Sequence, residues 1–136
     1  MKRKLFITGV LAVFVVALVT IVFLTFIGHA KRGKRPVVTP VVIAGIEYRA
    51  PNATDNQGVV EAWDVSTKKL LWQKKVYYTP KVPFAEQDTQ WNFITTMTVG
   101  ASTNELVITN ERGGQYILDC VSKKAKRVKG SILTGW

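Results

Sequence analysis

Side chains able to carry a reaction are few in this chain, and their spacing does not assemble them. There is one histidine, one cysteine and nine Asp plus Glu in 136 residues. His29 directly follows a long uncharged stretch and reads as an interfacial residue. The remainder of the chain therefore has no Ser-His, Cys-His or histidine-metal arrangement to offer. Cys120 has no second cysteine to pair with, which excludes an intramolecular disulfide and CxxC chemistry. On a strand it reads as a small buried apolar group.

The acids give no stronger signal. Glu61 and Asp64 fall on opposite faces of one predicted strand, and Glu86 and Asp88 share a loop, so all four read as solvated charge. Asp55-Asn56 lacks the ligand spacing of a calcium loop, and Gly113-Gly114 reads as a hairpin turn rather than a phosphate cradle. The inventory predicts a non-enzyme with no cofactor and no metal.

Basic charge is the other conspicuous chemistry, with 19 Lys plus Arg and a formal net charge of +10. Lys68, Lys69, Lys74 and Lys75 form one cluster, and Lys123, Lys124, Lys126, Arg127 and Lys129 another. With aromatic neighbours such clusters can bind nucleic acid. These lysines fall at turns and outward strand positions, where attraction to a membrane surface or protection of sheet edges accounts for them. No nucleic-acid partner is expected.

The elements that must position these groups begin with a membrane segment. Residues 5–27 carry no charge, and at about 1.5 Å per residue they span roughly 34 Å, enough for a ~30 Å hydrocarbon layer. A secretory signal core is shorter, about 7–15 residues, so the segment is expected to remain as an anchor. Lys2, Arg3, Lys4, His29, Lys31, Arg32, Lys34 and Arg35 are then the membrane-interface residues, and the lipid bilayer is a partner. Positive charge is balanced across the span, and the short basic head favours a cytoplasmic N-terminus. The predicted organisation is a basic head and anchor over 1–30, a basic and proline-containing linker over 31–40, and a β-domain over 41–136.

In the β-domain, β-branched and aromatic runs alternate with turn residues, and no helical period appears. Strands are predicted at 41–48, 58–65, 69–77, 91–99, 105–110, 114–120 and 125–129, with long polar loops at 50–58 and 79–90. The fold class is all-β, with about seven antiparallel strands in stacked sheets or a small barrel. A weak repeat aligns the segment from Gly58 with that from Gly113 at an offset of 55 residues. In each copy a strand ends in Asp64 or Asp119, a turn of small or hydroxyl residues follows, and Lys-Lys opens the next strand. Both aspartates are predicted to accept turn amides, and Gly113 and Gly114 to supply the positive φ of a hairpin.

Glu61-Ala62-Trp63-Asp64-Val65-Ser66-Thr67-Lys68-Lys69-Leu70-Leu71-Trp72 resembles the blade motif of quinoprotein (PQQ-like) β-propellers, in which a strand, Asp, a Thr-Gly-Lys turn, an aliphatic residue and Trp follow in order. The segment from Trp91 to Lys129 resembles one four-stranded blade. Lys68 and Lys123 stand where the motif has its turn glycine, and Arg127 stands where the first copy has Trp72. A propeller needs at least four blades, and the reading gives fewer than two, so no quinone or calcium residues are carried over. The whole chain is also similar to small hypothetical bacterial membrane proteins with no assigned activity. That resemblance implies a bacterial inner membrane, and the cytoplasmic N-terminus expected from the basic head then puts the β-domain on the periplasmic side.

Aromatic residues are dense, and most are needed as core. Trp63, Trp72, Trp91 and Trp136 are the candidate partner contacts. The expected function is a non-catalytic protein-interaction module, an accessory or scaffold subunit of a membrane complex. The alternative is a membrane-tethered small-ligand-binding or sensing domain, with a pocket between sheets lined by Trp63, Trp72 or Trp91.

Overall fold

The computed structural model describes residues 33–130, which contain eight strands and no α-helix. They are β1 (Val41–Ile43), β2 (Ile46–Arg49), β3 (Val59–Asp64), β4 (Leu70–Lys75), β5 (Ile94–Val99), β6 (Glu105–Asn110), β7 (Gln115–Asp119) and β8 (Ala125–Lys129). Sheet 1 has the order β1-β2-β3-β4 and sheet 2 the order β5-β6-β7-β8, all neighbours antiparallel. The all-β expectation holds. The closed-barrel alternative does not, because each sheet keeps its own two edges. Among the described residues no helix is long and apolar enough to cross a membrane; the predicted anchor over 1–30 lies outside them.

The strand count is eight rather than seven because 41–48 is a hairpin. Ala44 and Gly45 both adopt positive φ, 48° and 79°, and Ile43 pairs with Ile46 across them. Two successive positive-φ residues are the backbone requirement of a tight turn whose twist matches its strands. The described residues thus form two complete four-stranded meanders, against the fewer than two units expected from the sequence.

Meander connectivity sorts the connections by end. The 50–58 and 76–93 segments and the Gly113 hairpin lie at the end where the chain enters β1. The short turns after β1, β3, β5 and β7 lie at the other end, which places Lys68, Lys69, Lys123 and Lys124 there.

Between the sheets Val60, Ala62, Tyr48, Ile94, Met97, Leu106, Ile108 and Leu118 form one buried cluster. Across the sheets, β1 and β5 are the strands whose Cα traces come within 8 Å. The two sheets bury opposite sides of their repeat. In β3 the core residues are Val60 and Ala62, whose counterparts 55 residues on are Gln115 and Ile117. In β7, however, Leu118 is fully buried and Tyr116 packs on the core, so Gln115 and Ile117 point outward. Side chains alternate at period two, so this one-residue change of phase means that the repeats stack front to back.

Candidate functional site

The outward face of sheet 1 carries Val42, Glu47, Arg49, Glu61, Trp63 and Gln73, by the register that sets Val42 opposite Glu47, Glu47 opposite Trp63 and Glu61 opposite Gln73. Trp63 is half-buried at its centre. Its indole Nε1 donates to Glu61 Oε2 at 2.9 Å, and the Arg49 guanidinium lies over the ring, 5.1 Å from the centroid. Arg49 also donates to Glu47 Oε2 at 2.5 Å, which with Gln73 Nε2 on Glu61 Oε1 at 3.3 Å gives both carboxylates partners. The Arg49 hydrogen bond holds the Glu47 carboxyl below its ordinary value. Such a face presents a fixed aromatic ring framed by charges already paired.

On the outward face of sheet 2 the character changes. Thr96, Thr98, Val107, Thr109, Gln115 and Ile117 stand there, and Lys126 and Lys129 close it opposite Ile117 and Gln115. Val107, Gln115 and Ile117 are only half-buried. Four strands therefore display a flat, mostly uncharged surface of β-branched residues. Strand register also sets Lys126 in the structural place of Trp72, because Ala62 pairs with Trp72 and its counterpart Ile117 pairs with Lys126. Arg127, the expected equivalent, faces Tyr116 instead and has a buried Nε without a hydrogen-bond partner.

A third feature lies at the chain-entry end, where the 50–58 and 76–93 segments border an open cleft of about 600 Å³. Asp55, Lys75, Tyr78, Thr79, Lys81 and Trp91 are on its wall. Gln57 and Gln90 line it too but are occupied in fixing the loops. Gln57 Oε1 accepts from Asn92 N at 2.7 Å, and Gln90 accepts from Val82 N at 2.5 Å while donating to Ala85 O at 2.9 Å. Thr79 Oγ1 is buried without a partner. Lys75 Nζ lies 5.3 Å from the Tyr78 ring centroid, leaving a cationic and aromatic wall.

Among the described residues the three tryptophans thus occupy separate places and form no common pocket. Trp63 is on the outer face of sheet 1. Trp72 faces inward against Tyr48, with Lys123 Nζ 5.8 Å from its ring centroid. Trp91 packs on Phe93 and lines the cleft. Space between the sheets is filled by the core, so the expected pocket there is replaced by the cleft between loops. Trp136 and the interface residues Lys2, Arg3, Lys4, His29, Lys31 and Arg32 lie outside the described residues; Lys34 and Arg35 are exposed.

Turn geometry repeats closely. Asp64 Oδ1 accepts from Ser66 Oγ at 2.6 Å and Thr67 N at 2.7 Å, and these bonds hold its carboxyl down at about 2. Asp119 Oδ1 accepts from Val121 N and Ser122 N at 2.8 and 2.9 Å, and is lowered likewise by the Ser122 and Val121 amides. Lys68 and Lys123 take the left-handed conformation, φ 56° and 58°. Gly113 has φ 72°, whereas Gly114 needs no positive φ: a Cβ there would stand 3.0 Å from the Asn110 amide that caps the hairpin. Cys120 is half-buried, and burial pushes its thiol up.

No family model matches this chain, and no curated protein matches it in sequence. Geometry and chemistry alone carry the functional reading.

Proposed function

We propose that the chain is a single-pass, membrane-anchored and non-catalytic protein-interaction module, built from two units of the PQQ-like blade type. The β-domain is read as periplasmic on a bacterial inner membrane, where it serves as an accessory or scaffold subunit. The observation that carries the reading is front-to-back stacking: it leaves one outward face on each sheet, with Trp63 framed on one and Val107 and Ile117 displayed on the other. A half-exposed tryptophan in a rim of paired charges is the kind of anchor that dominates protein interfaces. Closest backbone approach at β1 and β5 supports the blade reading, since neighbouring propeller blades converge at their innermost strands.

Mild solubilisation of membranes carrying a C-terminally tagged copy, native electrophoresis and mass spectrometry of the co-migrating species test this. Defined proteins in fixed ratio, lost on Trp63→Ala, are the expected result. Migration of the chain without any protein company in several detergents would contradict it.

The cleft supports a second reading, a tethered binding domain for a small anionic ligand. Lys75 and Lys81 with Tyr78 and Trp91 supply cations and a stacking surface. Thermal shift of the full chain with a panel of aromatic and sugar phosphates would show a ligand-dependent rise that Lys81→Ala removes.

A further inference from the structure

The two outward faces are the structural counterparts of the two buried ones. Strand register makes Tyr48, Ala62 and Trp72 of the inner face of sheet 1 equivalent to Val107, Ile117 and Lys126 on the outer face of sheet 2. By the same register, Glu47 and Trp63 on the outer face of sheet 1 are equivalent to Leu106 and Leu118 on the inner face of sheet 2. The chain therefore ends on one side with the back of a repeat and on the other with the front, and it already joins a front to a back in its own core. We propose that the outer face of sheet 2 on one copy packs head to tail on the outer face of sheet 1 of a second copy, continuing the stack that the two repeats begin.

Several features fit that occupant. The internal contact brings β1 and β5 together, and the continued stack would bring β5 of one copy toward β1 of the next, setting Thr96 and Thr98 against Val42. Val42 is 60% exposed, the most exposed valine of the eight strands. Trp63 would meet the uncharged side chains of Val107, Thr109 and Ile117, the lysines of that face, Lys126 and Lys129, standing apart on its edge strand β8. A contact of this kind is heterologous: it uses different patches on its two sides, so it closes a ring or runs on as a filament. Roughly two to four copies would supply the four to eight blades of a closed propeller. The inference rests on the interaction-module reading and names its partner as this chain itself.

The asymmetry of the contact gives a test. Full-length copies bearing two different tags are co-expressed, solubilised mildly and purified through both tags in turn. Val42→Arg spoils the sheet 1 face and Thr98→Arg the sheet 2 face; both positions are exposed, and circular dichroism melts check that each variant still folds. Wild-type copies should co-purify. Two Val42→Arg copies, or two Thr98→Arg copies, should do so at least about tenfold less. A Val42→Arg copy with a Thr98→Arg copy should recover, because one intact front still meets one intact back. Wild-type copies that fail to co-purify would overturn the inference, as would single variants that associate like wild type or a mixed pair that does not recover. Capture of a different protein in fixed ratio, with no second copy, would overturn the inference and leave the interaction-module reading standing.

Discussion

Asn52 and Ile94 exchange two hydrogen bonds between the sheets: Asn52 Nδ2 donates to Ile94 O at 2.8 Å and Ile94 N donates to Asn52 Oδ1 at 3.0 Å. The side-chain amide thus imitates a strand neighbour for the start of β5. Its Nδ2 also donates to Pro36 O at 3.0 Å, tying the incoming linker to the same point. Asn52 and both of its bonds to Ile94 are buried, so replacing the amide leaves that donor and acceptor with no water to turn to. Asn52→Ala is expected to lower stability by about 3 kcal/mol, and Asn52→Asp to be no milder, since its carboxylate would face two carbonyl oxygens. Chemical denaturation monitored by tryptophan fluorescence measures both.

Lys68 and Lys123 hold the conformation that a turn glycine adopts without strain. Lys68→Gly should therefore raise stability by about 1 kcal/mol. Lys123→Gly should gain less, because it also removes the ammonium that rests on Trp72. Paired thermal melts give the order, and an equal loss in both would contradict the strain argument.

The same turns set the acid limb of stability. Asp64 is depressed in the folded state to about 2 from its ordinary 3.8, first by the Ser66 hydroxyl and then by the Thr67 amide. A depressed carboxyl contributes stability that is fully present above its unfolded value and is lost as pH falls through the folded one. Wild-type stability should thus decline between about pH 4 and pH 2, while Asp64→Ala is less stable at pH 7 and nearly equal to wild type at pH 2. Urea midpoints across that range report the difference.

Gly58 lies under Tyr77, with φ 72°. A Cβ would stand 2.8 Å from Tyr77 O and 2.9 Å from its ring. Tyr77 is itself pinned, its hydroxyl donating to Asn92 O at 2.7 Å and its ring stacked on Tyr116 at 5.0 Å. Gly58→Ala should cost about 2 kcal/mol or more, since neither backbone nor ring can yield easily.

Cys120 should be a slow thiol. Burial raises its pKa, so little thiolate exists near neutral pH, and its Sγ lies near the buried Tyr48 hydroxyl. Iodoacetamide labelling at pH 7.5 is expected to speed up strongly once denaturant unfolds the domain.

Most strands were legible because their periodicity and turn residues agree, as at Glu105–Asn110 and Gln115–Asp119. The β1-β2 hairpin was not, since 41–48 is an almost unbroken apolar run and alanine gives no turn signal at Ala44. The Asp64 and Asp119 turns were visible as a repeat, yet the left-handed lysines were visible only as departures from a motif. The burial phase was hidden. In β3 both faces carry apolar residues, and only the packed structure shows that Val60 and Ala62 are core while Trp63 faces out. The cleft depends on Gln57 reaching Asn92 and on Asn52 reaching Ile94, contacts 35 and 42 residues apart that no local pattern announces.

Cross-linking in intact membranes tests the central claim most directly. Two full-length copies, one Val42→Cys and the other Thr98→Cys, both with Cys120→Ser, are co-expressed and treated with a short bismaleimide. Front-to-back stacking predicts a covalent dimer from the mixed pair and little from either variant alone. Equal dimer from Val42→Cys alone, or none from the mixed pair, would contradict it.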